Sequence, residues 1–210
     1  LTFSRLMDVP KTVLVICTLG WLSSFLFRAF RFKGEWDAHG KISLWDSLSL
    51  TFLHNAAVIL VPFRVGELGY PVLVQKLLNV SLQQCIRSLL WLRFQDGIVL
   101  LSLAFLLLPF LSTELRIAGL SVVVILCLAT QKWWLRLLRS RHFLIRQVRA
   151  FLHQRSSPWG WFWSAANWIV KLLVVSMMLS NLTGLDTLQT LRGALAGELS
   201  ALLPLTGPAG

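Results

Sequence analysis

The stretch His54-Asn55-Ala56-Ala57-Val58-Ile59-Leu60-Val61-Pro62-Phe63-Arg64-Val65-Gly66-Glu67-Leu68 decides how this chain is read. It starts as an apolar helix, then places a proline, an arginine, a glycine and a glutamate within six residues. Ionisable groups at membrane depth cost roughly 2.5–3.5 kcal/mol each on insertion scales, so their presence there marks function. A Pro-Gly break also frees backbone groups, which are tolerated only inside protein or beside a watery cavity.

The surrounding composition says that the stretch does lie at membrane depth. The 210 residues are 56% hydrophobic and only 14% charged, with a mean hydropathy of +0.69; a soluble domain carries nearer a quarter charged. An all-α, multi-pass integral protein of the cell (inner) membrane is expected, with residues 1–210 forming a single transmembrane domain. The net charge of +11 then marks cytoplasmic loops and anionic headgroups rather than nucleic acid, for which no motif is present. Cys17, Cys85 and Cys127 are dispersed and read as small core residues, so neither a disulfide framework nor a metal site or cofactor is called for. The first residue is not Met, no signal peptide is evident and the last residues stop mid-pattern, as in a piece of a longer protein.

Four full spans are expected, over 12–27, 97–113, 115–131 and 158–185, the last interrupted by Lys171. Between the first two, residues 47–61 cover ~22 Å at 1.5 Å per residue, short of a ~30 Å hydrocarbon core. A second short segment, 68–80, follows the break. Loop charges orient the chain: 132–155 carries seven Lys/Arg and no acid and is expected to be cytoplasmic. Counting back puts 64–93 inside, and the four Lys/Arg of 28–46 also favour the inside. Both hold only if 47–80 is a re-entrant hairpin with the break at its tip; the alternative is a full span with a positive loop outside.

Within 132–157, Lys132, Arg136, Arg139, His142, Arg146, Arg149 and His153 recur at three- and four-residue spacing, with Leu, Ile, Val and Phe largely opposite. This predicts a basic amphipathic helix lying along anionic lipid headgroups, bracketed by interfacial tryptophans. A second break closes the chain: Glu198, then Pro204, Gly207, Pro208 and Gly210. Two interrupted segments in corresponding halves predict an inverted repeat of two re-entrant hairpins, with the binding site where the breaks meet.

With Asn55…Pro62-x-Arg64-x-Gly66-Glu67, then Arg93-x2-Asp96-Gly97, then the Pro/Gly-rich ending, the chain resembles the lysylphosphatidylglycerol synthase transmembrane (flippase-like) family from about Arg28 to Gly210. Phe63 stands where that family often has Gly, and Gly210 stops where its pattern continues into another Gly and a Glu. Nothing resembles the soluble aminoacyl-transferring domain. The resemblance therefore implies a lipid-moving module, with an anionic or aminoacylated phospholipid or a polyprenyl phosphate as its partner.

The substrate-binding candidates are Asn55, Pro62, Arg64, Gly66, Glu67, Tyr70, Arg93, Asp96, Glu198, Pro204 and Gly207. Arg64 offers a planar fork suited to a phosphodiester. Glu67 is expected to pair with Arg64 or to accept a cationic headgroup, Asn55 and Tyr70 to hydrogen-bond, and Gly66 to allow close backbone approach. Arg93 and Asp96, three apart on one helical face, are placed for an internal pair. His54 reads as an interfacial or packed histidine. No hydrolase, zinc-protease or phosphate-loop motif is present. The alternatives to a transporter are an integral-membrane transferase, with Glu67 as base on a lipid phosphate, and a scaffold for a separate synthase.

Overall fold

The computed structural model describes residues 9–37, 42–61, 65–129 and 158–200, and every element among them is helical. Helix α1 spans Lys11–Trp36 and begins directly after Pro10. Helix α2, Leu44–Leu60, is capped by Ser43, whose Oγ accepts the Asp46 amide at 3.0 Å, with the Asp46 carboxylate at the positive end of the helix. It stops at Val61, whose extended backbone (φ −102°, ψ 118°) is what a residue preceding proline adopts. A 3₁₀ turn over Val65–Leu68 leads into α3, Gly69–Leu78, which ends on Asn79 in the left-handed region at φ 51°.

Helix α4, Leu82–Leu107, opens on a capping box between Ser81 and Gln84. It ends at Leu108, again extended before a proline. Helix α5 covers Thr113–Ala129. Helix α6, Pro158–Thr183, starts with proline where a free N–H is dispensable and stops at Gly184, φ 73°. Helix α7, Thr187–Ser200, is capped by Asp186, whose carboxylate accepts the Leu188 amide at 3.0 Å.

Three of these helices, α1, α4 and α6, are long and apolar enough to cross a membrane; at 26 residues each they reach ~39 Å. The expected span over 97–113 is corrected: α4 starts at Leu82, because the Ser81 capping box and not the Arg93–Asp96 pair marks the helix start. Arg93 and Asp96 thus lie in mid-helix. The first span also runs on to Trp36, so Arg28, Arg31 and Lys33, counted above as loop charges, belong to α1. Those three leave the count of loop charges in 28–46, and the charge ground for same-side entry shrinks accordingly. The amphipathic 132–157 segment and the second break at Pro204–Gly207 lie outside the described residues.

The 3₁₀ turn and α3 pack against α2. A Cβ at Gly66 would lie 2.1 Å from the Ala57 carbonyl oxygen, so any side chain there forces the turn away from α2. Helix α1 packs along α6 through small residues. A Cβ on Gly20 would lie 2.5 Å from Val174 Cγ2, and Cys17 Sγ sits 3.7 Å from the Val174 carbonyl. Phe27 and Phe30 stack on Trp163, and Phe25 stacks on Phe52 of α2.

Among the three apolar cores of the described residues, two are built on α4. One joins α1, α3 and α4 around Phe32, Trp36, Tyr70, Val74 and Leu92. The other joins α4, α6 and α7 around Leu100, Ala104, Trp168, Leu172 and Leu195. Leu92, Asp96 and Leu100 follow one another at four-residue spacing on α4, so Asp96 sits on the face that serves both cores, at the level between them.

Candidate functional site

Asp96 is 6% exposed and Arg31 4%. Arg31 Nη1 donates to Asp96 Oδ1 at 2.6 Å. The same oxygen accepts from Ser164 Oγ at 2.9 Å and from Trp168 Nε1 at 2.8 Å. The Arg31 guanidinium also donates to Gln95 Oε1 at 3.3 Å and to the Leu92 carbonyl. One carboxylate thus ties α1, α4 and α6 together. A buried ion pair offsets its desolvation only when its hydrogen bonds are met, and here the surrounding donors and acceptors meet them.

Three further polar links surround this centre. Arg93 holds Glu67 by two contacts, 3.0 and 3.1 Å, fixing the 3₁₀ turn to α4. Arg28 Nη1 donates to Asn55 Oδ1 at 2.5 Å, joining α1 to α2, while Asn55 Nδ2 donates back to the Thr51 carbonyl. The Tyr70 hydroxyl accepts from Trp36 Nε1 at 2.9 Å and lies 3.1 Å from Ser88 Oγ. Arg28, Thr51, His54, Asn55, Arg93 and Asp96 are among the walls of one small cavity of about 30 Å³, room for a water or two. His54 is 7% exposed and its Nδ1 has no partner among the described residues.

Of the candidates from sequence, Asn55, Tyr70, Arg93 and Asp96 line this cavity, and Glu67 joins it through Arg93. The expected Arg93–Asp96 pair does not form: each reaches a different helix, because an opposite charge on a neighbour lies closer to each than they do to one another. Glu67, expected to bind Arg64 or a cationic headgroup, is engaged by Arg93. The close approach at Gly66 is to the backbone of α2. Glu198 pairs with Lys171 at 2.7 Å. The Lys171 ammonium lies 4.8 Å over the Trp168 ring, so Glu198 connects to the Asp96 centre through α6 and does not line the cavity itself. Pro62, Arg64, Pro204 and Gly207 lie outside the described residues.

Arg28, Arg31, Ser164 and Trp168 were missed as site residues. A signal for them exists in the small and polar stripe Cys17, Gly20, Ser24, Arg28, Arg31 along α1, and in Ser164, Asn167, Trp168, Lys171 along α6. Both run at three- and four-residue spacing, which marks one helical face. Read as membrane flanks, the arginines lost that context.

Searches against protein-family models, curated proteins and solved structures found no match to this chain. The likeness to the lysylphosphatidylglycerol synthase transmembrane family therefore rests on its short motifs.

Proposed function

We propose that this chain is a membrane lipid transporter of the flippase-like kind, carrying a phospholipid or lipid-linked phosphate between leaflets. The observation behind it is a hydrogen-bonded cluster in which Arg93 and Asp96, at mid-length of α4, pair with Glu67 of the 3₁₀ turn and with Arg31 in the last third of α1, on helices otherwise apolar enough to span a membrane. Charged groups within membrane spans face the bundle interior or a watery cavity, pair with one another, and mark substrate or ion pathways. The short helix α2, its proline break and the turn folded back on it supply irregular backbone beside that cluster, as at transporter binding sites. In this reading α2 and α3 form a re-entrant hairpin, the 198–207 break forms its inverted counterpart, and the chain sits in the inner membrane with 132–157 on the cytoplasmic side.

The cavity as it stands admits water and no headgroup. Transport therefore requires α1 and α2 to part around the cavity. Leaflet exchange of a fluorescent phospholipid in reconstituted vesicles, read by external dithionite quenching, tests this. Exchange well above protein-free vesicles is expected, with its loss in Arg64→Ala and Glu67→Ala variants that remain folded. Vesicles that keep half their label protected, with or without protein, would refute it.

A further inference from the structure

The cavity's charges do not balance. Arg28, Arg31 and Arg93 all line it. Asp96 answers Arg31, and Glu67 answers Arg93. Arg28 hydrogen-bonds only the neutral amide of Asn55, and the Asp96 and Glu198 carboxylates, each already paired, act on it at longer range. Three guanidinium groups line the cavity and two carboxylates, Asp96 and Glu67, pair with two of them. An arginine is protonated in any protein setting, so one positive charge is left over between α1 and α2. Leaving such a charge uncompensated in a helical bundle is expensive. The arrangement is complete only when something anionic enters.

Asn55 contributes to this reading. Its amide oxygen aims the Arg28 fork while its Nδ2 is spent on the Thr51 carbonyl, so the residue orients the cation without neutralising it. His54, one residue along, lines the same cavity with an unsatisfied Nδ1, a second polar group awaiting a partner. No carboxylate is free there to receive an ammonium, because both acids at the site already hold a guanidinium.

We infer that Arg28, aimed by Asn55, is the anion-binding residue of this cavity and that the site takes a lipid phosphodiester carrying a net negative charge, in preference to a zwitterionic or cationic headgroup. This deepens the lipid-transport reading and rests on it. The Arg28 fork binds the two non-bridging phosphate oxygens, and His54 Nδ1 faces a headgroup hydroxyl. The surplus cation favours a monoanion and gains nothing from a headgroup whose ammonium cancels its phosphate.

The test is binding of three probes to the purified chain in a neutral detergent: dioctanoyl phosphatidylglycerol, dioctanoyl phosphatidylethanolamine and glycerol 3-phosphate. Phosphatidylglycerol is expected to bind at least ~tenfold more tightly than either of the others. Arg28→Gln is expected to weaken phosphatidylglycerol by ~tenfold to hundredfold, the span expected for a hydrogen bond to a charged group, while Arg28→Lys, which keeps the charge and loses the fork, falls between Arg28→Gln and the unaltered chain. Asn55→Asp carries the test if Arg28→Gln fails to fold. It is nearly isosteric, supplies Arg28 with its own counter-ion, and is expected to weaken phosphatidylglycerol to a similar degree. Equal affinity for phosphatidylethanolamine, equal affinity for glycerol 3-phosphate, or indifference to Asn55→Asp would each overturn the inference. Transport fails separately: Arg28-dependent binding without leaflet exchange refutes the transporter and leaves this site standing. Exchange that ignores both headgroup charge and Arg28 does the reverse.

Discussion

Replacing Asp96 by asparagine removes one charge from the centre of the fold and almost no volume. Oδ1 accepts from Arg31, Ser164 and Trp168, and an amide oxygen in its place still receives the two neutral donors. What is lost is the counter-charge of a guanidinium that is 4% exposed. Removing one member of a buried pair typically costs 3–5 kcal/mol. With Ser164 and Trp168 still satisfied, about 3 kcal/mol is expected for Asp96→Asn. At ~2–4 °C per kcal/mol for a chain of this size, the midpoint falls by roughly 6–12 °C.

Equilibrium unfolding in mixed dodecylmaltoside–SDS micelles measures it, with Trp168 as a fluorescence reporter in direct contact with the site. The double variant Arg31→Met/Asp96→Leu removes both charges and should regain much of the loss, though not all. Ser164 and Trp168 then lose their acceptor, an orphaned buried donor costing ~1–3 kcal/mol. A loss under ~1 kcal/mol for Asp96→Asn, the size of an exposed pair, would refute the burial argument for the whole cluster.

Other outcomes follow from local geometry. Gly66→Ala sets a Cβ 2.1 Å from the Ala57 carbonyl oxygen, so it should cost ~1–3 kcal/mol by overpacking and loosen the turn, read as faster amide exchange over 65–70. Ser81→Ala removes half of the capping box that starts α4 and should cost about 1 kcal/mol in the same unfolding assay. Lys171→Met breaks the Glu198 pair, whose side chains are 20% and 26% exposed. The pair is largely buried and Lys171 sits within a helix read as a span, so little solvent screens it, and the expected loss is ~1–3 kcal/mol, the cost of orphaning a buried partner, at or below that of Asp96→Asn.

What the sequence made legible was local. The break after α2 was evident because proline constrains the residue before it, and Val61 is indeed extended. The tight return at Gly66 was evident because glycine is the residue that fits there. The apolar character of the long helices came from composition. Ion pairing, in contrast, depends on which helices become neighbours. Arg93 and Asp96 looked like partners because they share a helix face, yet each found its partner on another element. Arg31 looked like a membrane flank because basic residues usually end spans, and only its register with Cys17 and Ser24 hinted that its face turns inward. The start of α4 was written in Ser81 and Gln84, but the charges at Arg93 and Asp96 drew attention away from it.

The most direct measurement is an experimental structure of the chain in nanodiscs containing phosphatidylglycerol. Headgroup density is expected between α1 and α2, with a phosphate oxygen ~2.8 Å from the Arg28 guanidinium and Asn55 still beside that guanidinium. A headgroup bound elsewhere, with the cavity holding only water, would contradict a lipid site at this cluster.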